Sequence, residues 1–173
     1  MLSEKLEKAL NKQINEEFYS SYLYLAIAAY MDDLNLDGCG HWMRMQADEE
    51  HLHALKIFDY VIDRGARVEL TAIAAPPRTF DNPRAAFEAA LEHEKYMSKN
   101  INALADLAIA EADHATNNVL QWYVTEQVEE EAAVDDILKK LDLMGTDGPG
   151  LFLMDRELKT RPAPTIADVG GGA

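Results

Sequence analysis

Two halves of this chain repeat one chemical pattern at one interval. Glu17 is followed 33 residues later by Glu50, with His53 three further on. Glu94 is followed 33 residues later by Gln127, with Glu130 three further on. Each half therefore reads as a lone glutamate on one helix, then a polar pair spaced i, i+3 on the next. That is the ligand plan of a carboxylate-bridged di-metal site inside a four-helix bundle.

Cap and breaker residues divide the chain into the helices this plan needs. Ser3 can cap a first helix that runs to Asp32 or Asp33, and Asn35-Leu36-Asp37-Gly38 breaks it. A second is expected from Gly40 to Arg64, with Gly65 placed as its left-handed terminator. Residues 66–82 hold Pro76-Pro77 and no helical period. Asn82-Pro83, a cap residue followed by a first-turn proline, starts a third helix that ends near Glu111. Asp113 can cap a fourth, running to Met144 with Gly145 after it, and Asp147-Gly148-Pro149 opens a short fifth from Gly150 to Leu158. One domain, residues 1–160, follows. The tail 161–173, with Pro162, Pro164 and Gly170-Gly171-Gly172, is expected to be disordered.

Connection lengths then decide topology. The first two helices share a short loop, as do the third and fourth, so each pair is antiparallel. The 17-residue middle connection reaches roughly 55 Å when extended, whereas a 25-residue helix is only about 38 Å long. A connection of that reach can run the length of the bundle and leave the second and third helices parallel. The expected fold is all-α, a four-helix bundle with one long crossover and a short fifth helix.

Apolar stripes show where the candidate ligands point. Along the first helix, Leu10, Ile14, Glu17, Ser21, Tyr24, Ala28 and Met31 follow steps of four and three. The second offers Met43, Gln46 or Ala47, Glu50, His53 or Ala54, and Ile57. Phe87, Ala90, Glu94, Met97, Ile101, Leu104 and Ala108 mark the third; Leu120, Tyr123, Gln127, Glu130, Val134, Ile137 and Leu141 mark the fourth. Such spacing is a core-facing seam. On every helix the metal-type residues lie on it.

Four glutamates and a histidine on inward seams carry a heavy electrostatic cost. Each ionised carboxylate in a low-dielectric interior costs several kcal/mol, and like charges add to it. Without a cation, some must hold protons and titrate as a coupled group. Two divalent metal ions would neutralise most of that charge. Oxygen-rich coordination with one imidazole suits iron or manganese better than a closed zinc site. Glu50 and His53 can share one metal, and Glu50 is placed to bridge to a second. A single Glu-x-x-His on a helix is a weak signal; four matched groups on four seams are a strong one. Tyr24 is first a packing residue, although its place two turns from Glu17 lets it hydrogen-bond a ligand carboxylate. His41, His51, His93 and His114 are expected at the surface or in packing. Glu126 and Glu129, with Glu49, flank the core ligands and are candidates for an accessory position, against the plainer reading of a solvated face.

Charge and cysteine usage exclude other classes. A net charge of −15 lacks the basic footprint nucleic-acid binding needs, and favours cations. Cys39 stands alone, so neither an internal disulfide nor a cysteine metal site can form within one chain, and a reducing compartment fits. The chain starts with helix-like alternation and no signal peptide, and its longest apolar run, Leu23 to Met31, is too short to span a bilayer. A cytoplasmic protein without membrane partners is expected.

At these residues the sequence resembles the bacterial and archaeal non-haem ferritins. Asn15-Glu16-Glu17-Phe18-Tyr19-Ser20-Ser21-Tyr22-Leu23-Tyr24 and the run from Gln121 to Glu131 are similar to ferritin helices well beyond composition. The resemblance implies a ferritin-like fold and a ferroxidase with two iron ions per subunit. Glu17, Glu50 and His53 would form the first iron position; Glu50, Glu94 and Glu130 the second, with Gln127 nearby and Tyr24 as an outer partner. Glu49, Glu126 and Glu129, with Glu130, resemble a third iron position of prokaryotic members. Fe(II) would be oxidised by dioxygen or hydrogen peroxide and stored as Fe(III) oxyhydroxide inside a closed homo-oligomeric shell, usually of 24 subunits. The fifth helix, with apolar Leu151, Phe152, Leu153, Met154 and Leu158, would lie at a subunit contact; the plainer reading is that it covers one end of its own bundle. Two departures inform the expectation. Glu130 stands where a haem-binding relative would have histidine, and Leu52 lies where it would have the haem methionine, so no haem is expected. Asn117 and Leu120 occupy a region where many ferritins place acidic inlet residues.

Three other readings compete. A rubrerythrin-like di-iron peroxidase would want four cysteines for a rubredoxin iron, and the chain has one. A structural bundle with degenerate metal residues should tolerate loss of Glu17 and Glu50. A mixed-function oxygenase should stay small and open a substrate pocket.

Overall fold

Helix boundaries follow from capping chemistry, with one instructive exception. The structure, a computed structural model, describes residues 2–144 and 148–169. Helix α1 spans Glu4–Asp33, and its cap residue Ser3 accepts the Leu6 N–H at 3.3 Å. Helix α2 spans Asp37–Asp63 and gives way to Gly65, whose φ of 71° is the left-handed geometry a terminating glycine supplies. Helix α3, Pro83–Ala110, starts behind Asn82, whose side chain accepts the Ala85 N–H at 2.9 Å. Helix α4, His114–Met144, starts behind Asp113, which accepts the Thr116 N–H at 3.0 Å. Arg64 forks onto the same Asp113 carboxylate at 2.7 and 3.0 Å and holds its carboxyl down at about 2. That fork ties the end of α2 to the start of α4. Helix α5 spans Gly148–Leu158, and a four-residue helix α6 spans Ile166–Val169. Gly145, Asp147 and Gly170-Gly171-Gly172 lie outside the described residues.

The exception is the start of α2, three residues ahead of the expected Gly40. Asp155 on α5 accepts the N–H groups of Gly38 at 2.8 Å and Cys39 at 2.9 Å, capping the helix from a distance. Gly38 permits the approach, since a Cβ there would sit 1.6 Å from the Asp155 carbonyl oxygen. The C-terminal segment departs from expectation too. Residues 161–169 lie against α2 rather than free: the Arg161 side chain bonds Gln46 and Glu49, and α6 contacts α2.

Side-chain bonds to the crossover fix the topology. Asn11 binds the backbone of Arg67 and Glu69, Asn15 that of Thr71 and Ala72, and the Tyr30 and Phe80 rings meet at 5.2 Å. The connection thus follows α1 from its beginning to its end. Helix α3 starts there, antiparallel to α1 and parallel to α2. This is the one-crossover bundle.

A polar band cuts the core in two. One apolar cluster, around Met31, Trp42, Phe87 and Leu141, fills the end that α5 covers with Met154 and Leu158. Another, around Leu6, Ile57, Leu104 and Leu120, fills the opposite end. Between them lie Gln13, Glu17, Gln46, Glu50, His53, Glu94, Gln127 and Glu130, all buried. No described helix is long and apolar enough to cross a membrane.

Candidate metal centre

Every inward seam residue singled out in the sequence is buried except Ser21, which is half-buried and donates its hydroxyl to the Ala47 carbonyl at 2.7 Å. Glu17, Glu50 and His53 converge from α1 and α2, each offering a ligand atom within 4.8 Å of the others. Their unfilled lone pairs are the decisive feature. Glu17 Oε2, both oxygens of Glu50 and His53 Nε2 are buried with no hydrogen-bond partner among the described residues. Only Glu17 Oε1 is served, by the Gln13 amide at 2.9 Å. Buried polar atoms in folded proteins are otherwise almost always satisfied.

The surroundings push protonation the same way. Burial raises the Glu17 carboxyl to about 7, opposed by Gln13. Burial, then the charges of Glu94, Glu17 and Glu130, push Glu50 well above the carboxylate range. Burial lowers His53 to about 3, so its imidazole is neutral at physiological pH and free to be a ligand. Its ring is boxed by Trp122 at 5.3 Å and Tyr123 at 6.0 Å, and Tyr123 donates its hydroxyl to the His53 carbonyl at 2.8 Å.

The second half of the pattern is arranged differently. Glu94 accepts the Tyr24 hydroxyl and, at 3.1 Å, the Gln127 amide. Glu130 accepts the Gln46 amide, and burial again raises its carboxyl well above the usual range. Glu94 joins neither of the two metal-competent groups found among the described residues. The other group is Glu49, His53, Glu126 and Glu130, of which Glu49 and Glu126 are only half-buried. Glu129, named for that position in the sequence, is exposed and outside the group; it neighbours Glu130 on α4, and adjacent helical residues diverge by about 100°.

Sequence reasoning missed three supporting residues. Gln13 and Gln46 orient the carboxylates of Glu17 and Glu130, and Arg161 pairs with Glu49 at 2.5 Å. The buried position of Gln13 one turn before Glu17 could have flagged it; nothing local flags Arg161. Of the remaining histidines, His51 and His114 are exposed, and His51 stacks beside Phe18 at 5.5 Å. His93 packs among Tyr19, Tyr24 and Tyr96, meets the Ser20 hydroxyl at 2.7 Å and is lowered to about 4 by burial. Cys39 is fully buried, and its thiol is pushed up to about 12, which makes it inert. Leu120 is packed in the core and cannot line a channel.

A polar band of this composition in a one-crossover bundle has known counterparts. The ferritin-like domain family matches residues 7–144. The chain belongs to the ferritin family. A probable bacterial non-heme ferritin-like protein of Haemophilus influenzae is 42% identical over 91% of this chain and 96% of its own length. The bacterial non-heme ferritin of Campylobacter jejuni is 40% identical over 92% and 95%. Among solved structures, an open pore ferritin from the archaeon Archaeoglobus fulgidus superposes with a TM-score of 0.92 at 52% identity, covering 93% of this chain and 98% of that one. A humanized archaeal ferritin superposes with a TM-score of 0.94 at 48% identity, covering 95% and 100%. This ferritin therefore matches both relatives and structures over nearly its whole length.

Proposed function

We propose that this ferritin binds Fe(II) in pairs inside each subunit, oxidises it with dioxygen or hydrogen peroxide, and stores the Fe(III) as oxyhydroxide within a homo-oligomeric shell. Iron oxidation and storage as a class follow from family membership. The observation that carries the finer reading is the set of unpartnered buried atoms on Glu17, Glu50 and His53, a donor set that fits a hard divalent cation.

In this reading iron is the substrate. Glu17, Glu50 and His53 hold the first Fe(II). Glu50 turns its second oxygen toward another, which Glu94 and Glu130 complete with the lone pairs that their donors leave open. Tyr24 and Gln127 stay beside Glu94, and Gln46 beside Glu130, as outer partners that orient each carboxylate. Arriving Fe(II) displaces the protons that burial keeps on Glu17, Glu50 and Glu130, so little net charge enters the core. Each Fe(II) then gives one electron to the oxidant. The Fe(III) acidifies its bound water and leaves as hydrolysed oxyhydroxide, which resets the carboxylates. Glu49, Glu126 and Glu130, with Glu129 next to Glu130 on α4, offer a third position beside the pair.

Shell formation is supported by α5. Met154 and Leu158 cover the end of their own bundle, while Phe152 and Leu153 stay more than half exposed on the other face of the same helix. An outward apolar pair on a short helix fits burial against a neighbouring subunit. Twenty-four chains of 19.3 kDa would form a particle of about 460 kDa. A cytoplasmic setting and the absence of haem belong to the same reading. The rubrerythrin-like alternative has no residue in its favour beyond the shared bundle.

One experiment tests this. The native particle is sized, loaded anaerobically with Fe(II), then exposed to oxygen. A large shell that takes up far more than two irons per chain is the expected result. A small oligomer that saturates at two would end the storage reading and leave paired binding standing.

A further inference from the structure

Arg161 comes from the chain's end, yet its guanidinium lies at the edge of the candidate metal centre. Its Nη2 donates to Glu49 Oε2 at 2.5 Å, and its Nη1 to the side-chain oxygen of Gln46. Gln46 is fully buried and donates its amide N–H to Glu130. One cation thus touches Glu49 directly and Glu130 through a single amide, two of the three carboxylates in the group Glu49, His53, Glu126 and Glu130. The arrangement is held rather than incidental. The guanidinium lies 4.5 Å from the centre of the Trp42 ring, the His41 ring donates to the Arg161 carbonyl at 2.8 Å, and the pair keeps only 21% and 16% of its side-chain surface exposed. His53 borders both groups, and its buried, unpartnered Nε2 can serve only one ion at a time, so the two positions compete through it as well.

Building on the iron-handling reading above, we propose that Arg161 is a built-in competitor for the accessory iron position and sets its occupancy. A metal ion at this group and the Arg161 guanidinium require the same Glu49 carboxylate. Binding of one must loosen the other, and by linkage the loosening is mutual. Filling the accessory position releases Arg161 and with it residues 159–169; engagement of Arg161 weakens the position and favours the inner group, Glu17, Glu50 and His53. The residue acts through Glu49 and Gln46 and is a positioning residue.

The test uses the full-length assembled protein, with Zn(II) as a redox-silent probe and anaerobic Fe(II) alongside. Calorimetric titration should resolve a tight class of sites, assigned by its loss in Glu17→Ala, and a weaker one. Arg161→Gln should tighten the weaker class about tenfold and leave the tight class unchanged, while Arg161→Lys, which keeps the charge, should restore most of the wild-type weakness. Amide hydrogen exchange over residues 159–169 should quicken as the weaker class fills in the wild type, and should ignore metal in Glu49→Gln. The proposal is overturned if Arg161→Gln leaves the weaker class unchanged or weaker, if both classes move together, or if no weaker class exists. Iron oxidation that persists through those outcomes would leave the paired site standing; a wild type that binds no metal in either class would remove both readings.

Discussion

The two halves of the repeated pattern share residue spacing and differ in how their polar atoms are spent. In the first half, Glu17, Glu50 and His53 present four buried atoms without hydrogen-bond partners among the described residues. In the second, Glu94 is held by Tyr24 and Gln127, and Glu130 by Gln46. The position that matches Glu50 is Gln127, an amide that donates where a carboxylate would only accept. Two exchanges of residue type, Glu50 against Gln127 and His53 against Glu130, together with the donors Tyr24 and Gln46, thus separate an open half from a self-satisfied one. Both are buried to the same degree, so burial alone does not make a metal site. What matters is whether the protein itself fills the lone pairs.

The sharpest way to break this contrast is Glu50→Ala, which empties the centre of the open half. Iron oxidation should fall by more than about 100-fold, beyond the usual effect of losing an outer partner. Stopped-flow absorbance would read it, and a loss under tenfold would contradict the role of Glu50. Next, Gln127→Glu should make the closed half resemble the open one, leaving a buried carboxylate beside Glu94 without a donor. Metal-free stability in urea should drop by about 2 kcal/mol, with recovery on adding Zn(II); no drop would mean the donor role of Gln127 is dispensable. Tyr24→Phe removes one donor from Glu94 and should slow oxidation about tenfold while Zn(II) affinity at Glu17, Glu50 and His53 holds. Equal loss in both would point to general damage instead.

The mildest effect is expected in pH. Glu17 in the folded state rises to about 7, and Glu50 and Glu130 rise well above 4.5. The folded chain then binds more protons than the unfolded one across that window, so stability present at low pH is lost as pH rises. His53, lowered to about 3, and His93, lowered to about 4, act oppositely and add stability with rising pH up to their ordinary value of 6.5. About a unit above 6.5 the histidine contribution is complete and the carboxylate loss continues. Metal-free protein should therefore lose about 1 kcal/mol between pH 7.5 and 8.5, and divalent metal should abolish the decline. Thermal denaturation with and without Zn(II) would show it; parallel curves would refute it.

Much of this was legible in the chain. Inward seams on four helices, a 17-residue crossover and cap residues such as Ser3, Asn82 and Asp113 are local signals, and local physics decides them. Membership of the open half could be read as well, because i, i+3 spacing forces Glu50 and His53 onto one face. Contacts between residues far apart in sequence could not. The early start of α2 depends on Asp155, more than a hundred residues away, and the placement of residues 161–169 depends on Gln46 and Glu49. Pro162 and Pro164 in that segment signal only that the preceding helix has ended; they do not reveal that a single arginine finds a carboxylate. Glu129 shows a related limit, since a run of acids at 126–131 does not show which members share a face.

The remote cap on α2 has a consequence for how the subunit is made. Helices α1 and α2 are made before α5 and can pair at once, but Gly38 and Cys39 must give their N–H groups to water until Asp155 arrives. A stretch translated much later therefore finishes an element begun more than a hundred residues earlier. A polypeptide released short of Asp155 would carry every ligand of the inner site and still lack the latch on its second helix.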